Sequence, residues 1–148
     1  AERVAVARLV DDLAAFIGPE CSEKGVALAR SPGGETLAAL VDPLQLKHAL
    51  LNLVLNALQA TPAGGRIEIG VEASPGGLAV TIRDSGEGIP APELERVFEL
   101  FYTTREGGTG LGLPIARRLV EAQGGHLALA SPGSRGTTAT VTLPLAPG

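Results

Sequence analysis

Five uncharged polar residues recur along one stretch of this chain: Gln45, His48, Asn52, Asn56 and Gln59, at spacings of 3, 4, 4 and 3. Residues four apart on an α-helix are offset by only about 40° around its axis, so a helix would set all five along one edge. The rest of the stretch (Leu44, Leu46, Ala49, Leu50, Leu53, Val54, Leu55, Ala57, Leu58) is apolar almost all round, the mark of a buried helix. A solvated stripe usually carries Lys and Glu. Asparagine is a poor helix former and is costly to bury without a partner. The pattern therefore points to a polar ligand or an ion facing this edge. An Asn carbonyl oxygen is a suitable hard ligand for Mg²⁺, which keeps waters and phosphates as its other ligands.

Two further segments carry chemistry. Asp84-Ser85-Gly86-Glu87-Gly88-Ile89-Pro90 follows directly on an alternating strand pattern. An Asp at a strand end can accept hydrogen bonds from a ligand amine, and Gly86 and Gly88 permit positive φ and close approach of backbone to ligand. Taken alone, the same residues also suit a plain turn. Gly107-Gly108-Thr109-Gly110-Leu111-Gly112 stands immediately before a helical pattern. Free N–H groups and the helix dipole would make an anion site there, the alternative being a flexible loop. The segment does not fit the dinucleotide fingerprint, because Leu113 stands where the third Gly should be, and no Gly-Lys-Ser/Thr makes it a P-loop. In this order the three segments supply metal, base and phosphate contacts.

The elements that must position them read as follows. Residues 2–17 form an amphipathic pattern with Val6, Leu9, Val10, Leu13 and Ile17 on one side. Gly18-Pro19 is expected to interrupt it, with a short helical turn running on to Lys24, so that a helical lead-in spans 2–24. Strands are expected at Val26–Arg30 and Thr36–Val41, joined by the turn Ser31-Pro32-Gly33-Gly34. Asp42-Pro43-Leu44-Gln45 is a helix start, with Asp as N-cap and Pro at N1, and the helix stops near Ala60. A hairpin follows, with Ile67, Ile69, Val71 and Ala73 alternating in one arm and Leu78, Val80 and Ile82 in the other. A short helix is expected at 92–97, a longer one from Leu113 to Gln123, and closing strands at 126–130 and 137–143. Strand pairs arriving as hairpins predict an α+β chain: a two-layer α/β sandwich, its mixed, mostly antiparallel sheet of about five strands carrying three main helices on one face.

Composition sets the bounds. A chain of 148 residues is one ordinary domain. At 45% apolar and 19% charged it is neither disordered nor a charged tail. A net charge of −4 without a basic run makes the chain a poor candidate for sequence-independent nucleic-acid binding, and no nucleic-acid partner is expected. Every apolar run is far shorter than the ~18–20 residues of a membrane span, so no membrane contact is expected from this domain. The single Cys21 cannot form an internal disulfide, and no Cys/His cluster has metal-ligand spacing. The chain contains no Met, which suggests a piece of a longer protein or a processed chain. Three of its four aromatics, Phe98, Phe101 and Tyr102, fall within five residues.

The chain resembles the catalytic and ATP-binding domain of sensor histidine kinases, within the gyrase, chaperone, kinase and MutL ATPase superfamily and its Bergerat fold. Asn52 to Ala60 is similar to that family's N box, Asp84 to Ile89 to its G1 box, Phe98 to Thr104 to its F box, and Gly108 to Leu113 to its G2 box. Gly136-Thr137-Thr138 resembles its closing Gly-Thr signature. The resemblance implies that Asn56 holds Mg²⁺ with Asn52 beside it, near the phosphates of ATP. It implies that Asp84 accepts the adenine amino group, that Thr137 supports the adenine through water, and that Gly86, Gly88 and Ile89 wall the adenine. Gly108, Thr109, Gly110, Leu111 and Gly112 would wrap the phosphates under a lid over about 102–109. Thr104 and Arg105 would be contacts of that lid, Arg105 also suiting a plain solvated surface position; the clustering of Phe98 and Phe101 beside it suggests that they anchor the lid, the alternative being plain core. His48 is expected to be an ordinary half-buried residue and His126 a structural one.

By the same resemblance the function is transfer of the γ-phosphoryl group of Mg-ATP to a histidine on a separate dimerisation domain, with a response-regulator receiver domain downstream. The location would be cytoplasmic, with any membrane tether outside this chain. The alternatives are a hydrolysing ATPase of the same superfamily and a non-catalytic nucleotide-binding module. In the superfamily's hydrolases a Glu stands four residues before the Mg²⁺-binding Asn. Here that place is Asn52, which cannot serve as a general base.

Overall fold

The computed structural model describes residues 1–86, 112–131 and 136–146. At its centre are β4 (Arg66–Ser74) and β5 (Gly77–Asp84), antiparallel as the alternation predicts. Their inward residues pair in rows, Ile69 with Ile82 and Val71 with Val80. β7 (Thr137–Pro144) extends the rows on the far side of β5, placing Ala139, Val141 and Leu143 beside Ile82, Val80 and Leu78. β6 (His126–Ala130) closes that edge, antiparallel to β7. The other edge is β2 (Ala27–Arg30), parallel to β4. The five-stranded sheet therefore runs β2-β4-β5-β7-β6, mixed and mostly antiparallel.

Among the described residues three helices cover one face of this sheet: α1 (Val6–Lys24), α2 (Pro43–Ala60) and α3 (Gly112–Ala122). Leu46, Ala49, Leu50, Leu53, Val54 and Ala57 of α2 are buried between the sheet and the other two helices. α2 begins as its sequence predicts: the Asp42 carboxylate accepts from the N–H groups of Leu44 (3.0 Å) and Gln45 (3.2 Å). At its other end Lys24 donates to the Leu58 carbonyl at 2.6 Å, setting a cation against the negative end of the helix dipole. Among the described residues no helix is long and apolar enough to cross a membrane.

The N-terminal third departs from the expectation in three places. Residues 2–5 are not helical: β1 (Glu2–Ala5) pairs antiparallel with β3 (Ala38–Val41) in a separate two-stranded sheet. The buried helical stripe begins only at Val6, so nothing holds residues 2–5 in a helix while β3 offers them a partner. α1 then runs unbroken through Gly18-Pro19. Proline removes one N–H donor, but Gly18 has no Cβ to meet its ring, and the buried series Val10, Leu13, Ile17 and Cys21 continues across it. Finally, β2 and β3 are not a hairpin. After β2 the Ser31 N–H bonds the Ile69 carbonyl at 2.8 Å, and the Arg30 guanidinium bonds the carbonyls of Ser31 and Gly33. The loop is thus laid along β4 and delivers β3 to the other sheet.

Candidate functional site

The inward rows of the sheet are apolar until their last position. There, beside Ile67, stand Asp84 on β5 and Thr137 on β7, register partners across the two strands. Both are buried, at 7% and 8% exposure. Asp84 continues the phase of Leu78, Val80 and Ile82, so its side chain occupies the helix-facing side of the sheet. That parity was legible in the sequence and is a stronger signal than the Asp-Ser-Gly turn.

The turn after Asp84 is tightly held. The Asp84 carboxylate accepts from the Gly86 N–H at 2.9 Å. Ser85 closes onto the start of β4, its N–H donating to the Arg66 carbonyl at 3.1 Å and its Oγ accepting from the Arg66 N–H at 2.8 Å. The Arg66 guanidinium lies 3.0 Å from Glu68 and holds that exposed carboxyl below its ordinary range. Gly136, before β7, donates to the Gly86 carbonyl at 2.8 Å. Gly86 itself has no room for a side chain: a Cβ would lie 2.3 Å from the Ala60 carbonyl oxygen at the end of α2. Gly136 adopts φ +79°, where a Cβ would come within 2.8 Å of the Asp84 carbonyl oxygen. The residues called Gly-Thr from sequence thus close the turn from the β7 side.

α2 brings its asparagines to the same end. Asn56 and Asn52 lie one and two turns before Ala60, about 6 and 12 Å back along the axis. The polar stripe divides: Gln45, His48 and Gln59 are exposed, whereas Asn52 and Asn56 are half-buried. His48 is therefore not the half-buried histidine expected; it is a solvated residue. His126 is exposed at the start of β6. The Asn52 Nδ2 is buried and has no hydrogen-bond partner among the described residues. Such an orphan costs free energy comparable to a lost hydrogen bond, on the order of 1–3 kcal/mol. Its donor suits an anionic oxygen arriving from outside the chain.

Of the other residues singled out by sequence, Gly88, Ile89, Phe98, Phe101, Tyr102, Thr104, Arg105, Gly108, Thr109, Gly110 and Leu111 lie outside the described residues, as does the helix expected at 92–97. Gly112 opens α3, with Pro114 tolerated in the first turn. Sequence reasoning missed Thr61, whose buried hydroxyl donates to the Ala57 carbonyl at 2.7 Å and ends α2. It also missed Gln123, whose amide bonds the start of α2. The Thr61 bond is local, four residues back, whereas the partners of Gln123 lie about eighty residues away and show in no motif.

Comparison with known proteins bears on the family and the fold. The family described as histidine kinase-, DNA gyrase B-, and HSP90-like ATPase matches residues 41–147. Sensor histidine kinase ZraS of Escherichia coli (strain K12) is 35% identical over 138 residues, which cover 93% of this chain and 30% of that protein. The catalytic domain of histidine kinase ThkA, in a nucleotide-free form, superposes with a TM-score of 0.87 at 28% identity, over 96% of this chain and 93% of that one. Full-length ShkA in complex with AMPPNP gives 0.86 at 31% identity, over 99% of this chain and 31% of that one. The chain thus spans less than a third of ZraS and of ShkA. A family match running from the end of β3 through β7, with a backbone that overlays a kinase catalytic domain almost end to end, places the chain in the histidine kinase-, DNA gyrase B- and HSP90-like ATPase family, as a catalytic domain of the sensor histidine kinase kind.

Proposed function

We propose that this domain binds Mg-ATP and transfers its γ-phosphoryl group to a histidine on a separate dimerisation domain of a two-component sensor kinase, which passes it to a response-regulator receiver domain. The observation that carries the reading is the row Asp84–Thr137: a buried carboxylate and hydroxyl ending an apolar sheet face, against a turn with no room for a side chain at Gly86. Only a ligand with a hydrogen-bonding edge and a flat apolar body uses such a place well, and adenine is one. Asp84 would accept from the exocyclic amine while Thr137 supports the ring, and Gly86 lets the purine lie close to the backbone.

Asn52 and Asn56 would face the phosphates. The orphaned Asn52 donor fits a phosphate oxygen, and the Asn56 carbonyl oxygen fits a hard cation. Among the described residues no three His, Cys, Asp or Glu side chains form a metal-holding cluster. The donor set therefore suits Mg²⁺ that arrives with the nucleotide. Bound there, Mg²⁺ would neutralise phosphate charge. The chain's own contribution is positioning: two rigid elements, the β5–β7 end and α2, hold the two ends of one nucleotide for in-line transfer. Asn52 cannot take a proton from water, so its position on α2 offers hydrolysis no base. An imidazole acceptor is itself a nucleophile and needs none. The chain's own histidines, His48 and His126, sit exposed on separate elements, and we assign neither as the acceptor. By the same reading the domain works in the cytoplasm, where ATP is, with any membrane tether elsewhere in its parent.

The test is incubation with γ-labelled ATP, with and without the dimerising helices of the parent kinase. The expected result is no self-labelling, little phosphate release, and an acid-labile, base-stable label on the added helices. Rapid phosphate release by this chain alone, abolished by Asn52→Ala, would establish the hydrolysing ATPase instead.

A further inference from the structure

The two helices that would flank the phosphates are joined at the end far from Asp84, by a side chain with no part in the proposed site. Gln123 lies just past the last turn of α3. Its Oε1 accepts from the backbone N–H of Asp42, the N-cap of α2, at 2.7 Å, and its Nε2 donates to the Oε1 of Gln45 in the first turn. α3 also packs against α2 through its buried stripe, Ala116 and Val120. A buried apolar stripe alone allows a helix to slide, because Leu, Val and Ala contacts are non-directional. The bidentate amide does not.

The lengths give the tie a consequence. α3 has 11 residues, about 16 Å at 1.5 Å per residue. The same distance along α2, measured from Asp42, ends near Asn52 and Leu53. We propose that Gln123 is a positioning residue that sets the register of α3 against α2, holding the N-terminal end of α3, at Gly112, level with Asn52 and about one turn short of Asn56. The positive end of the α3 dipole is thereby fixed where the phosphates of the nucleotide would lie. The adenine end needs no such help, since Asp84 and Thr137 are fixed by strand register alone.

This inference rests on the nucleotide reading above, and the test separates the two. Dissociation constants for Mg-ATP and for adenosine are measured on the whole chain by titration, for wild type, Gln123→Leu, Gln45→Ala and Asp84→Asn. Gln123→Leu keeps the volume and removes both hydrogen bonds. It is expected to weaken Mg-ATP about tenfold while adenosine stays within about twofold. Gln45→Ala removes only the Nε2 partner and is expected to show a smaller loss of the same selectivity, so the test stands if Gln123→Leu does not fold. Equal weakening of both ligands, or of neither, in the folded variants overturns the register role and leaves Gln123 a plain stabilising contact. Asp84→Asn reports on the reading itself: it should weaken both ligands, and unchanged binding of both would remove the adenine assignment whatever Gln123 does.

Discussion

Asp84 and Thr137 face each other across β5 and β7, and among the described residues only Thr61 joins them as a buried polar side chain. Thr61 is explained by the helix it ends. The other two stand where the sheet face would otherwise have ended in apolar side chains. Burying such a pair costs stability unless it is hydrogen-bonded; Asp84 already accepts from the Gly86 N–H, and the proposed reading gives its carboxylate a second use at a ligand amine.

Asp84→Asn tests that use directly. The amide retains one acceptor oxygen but brings a donor to the place where an amine should bind. A mismatch of this kind costs on the order of 1–3 kcal/mol, so ATP affinity is expected to fall about tenfold or more by calorimetry. The melting temperature should change little, because the Gly86 N–H keeps an oxygen to bond.

Asn56→Ala separates cation from nucleotide. The half-buried side chain is expected to be dispensable for folding. The Mg²⁺ dependence of ATP affinity should flatten, with the magnesium-free affinity nearly intact. An ATP titration across a range of Mg²⁺ concentrations reads both. Unchanged dependence would move the cation off α2.

Gly86→Ala probes the seam between the turn and α2. The added Cβ would meet the Ala60 carbonyl oxygen at 2.3 Å, a backbone atom with little freedom to move. Overpacking of this kind costs about 1–3 kcal/mol. Both the urea midpoint and nucleotide affinity are expected to fall.

Cys21 gives a pH signature. Burial on the inner face of α1, with Glu20 adding to it, pushes its thiol above the ordinary value of 9.0. The folded state therefore holds the proton more tightly than the unfolded chain. Its contribution to stability is complete below the ordinary thiol range and is lost as pH rises through the raised value. Urea midpoints should fall as pH rises above the ordinary thiol range, about 8.5, and Cys21→Ala should flatten that slope. The native thiol should resist thiol reagents until the chain unfolds.

Local chemistry made much of this architecture legible. The Asp42-Pro43 start, the 66–83 hairpin and both closing strands need only neighbours in the chain, and each stands where its residues place it. What failed was pairing at a distance. Nothing near residues 2–5 announces that Ala38–Val41 will be their partner, and β2 and β3 look like a hairpin until β4 takes one and β1 the other. Gly18-Pro19 misled for a different reason, since the buried stripe of α1 outweighs one lost hydrogen bond. At the site, Asp84, Gly86 and Thr137 could be named from sequence. The contacts that hold them, Ala60 against Gly86 and Gly136 to Gly86, span distances no motif records.

The β5–β7 pairing also governs when a pocket can exist during folding. Residues 85–136 separate Asp84 from Thr137, so the two strands meet only after a long loop has been closed. Such non-local pairing is slow compared with forming the 66–83 hairpin or α2. A chain still emerging from the ribosome can complete that hairpin and α2 while Asp84 has β4 on one side but no β7 on the other, and the Gly86 carbonyl has no Gly136 N–H. Nucleotide then acts as a late ligand: it selects molecules whose β7 has already docked and stabilises them by mass action. Its concentration should slow unfolding while leaving the early steps of folding unchanged.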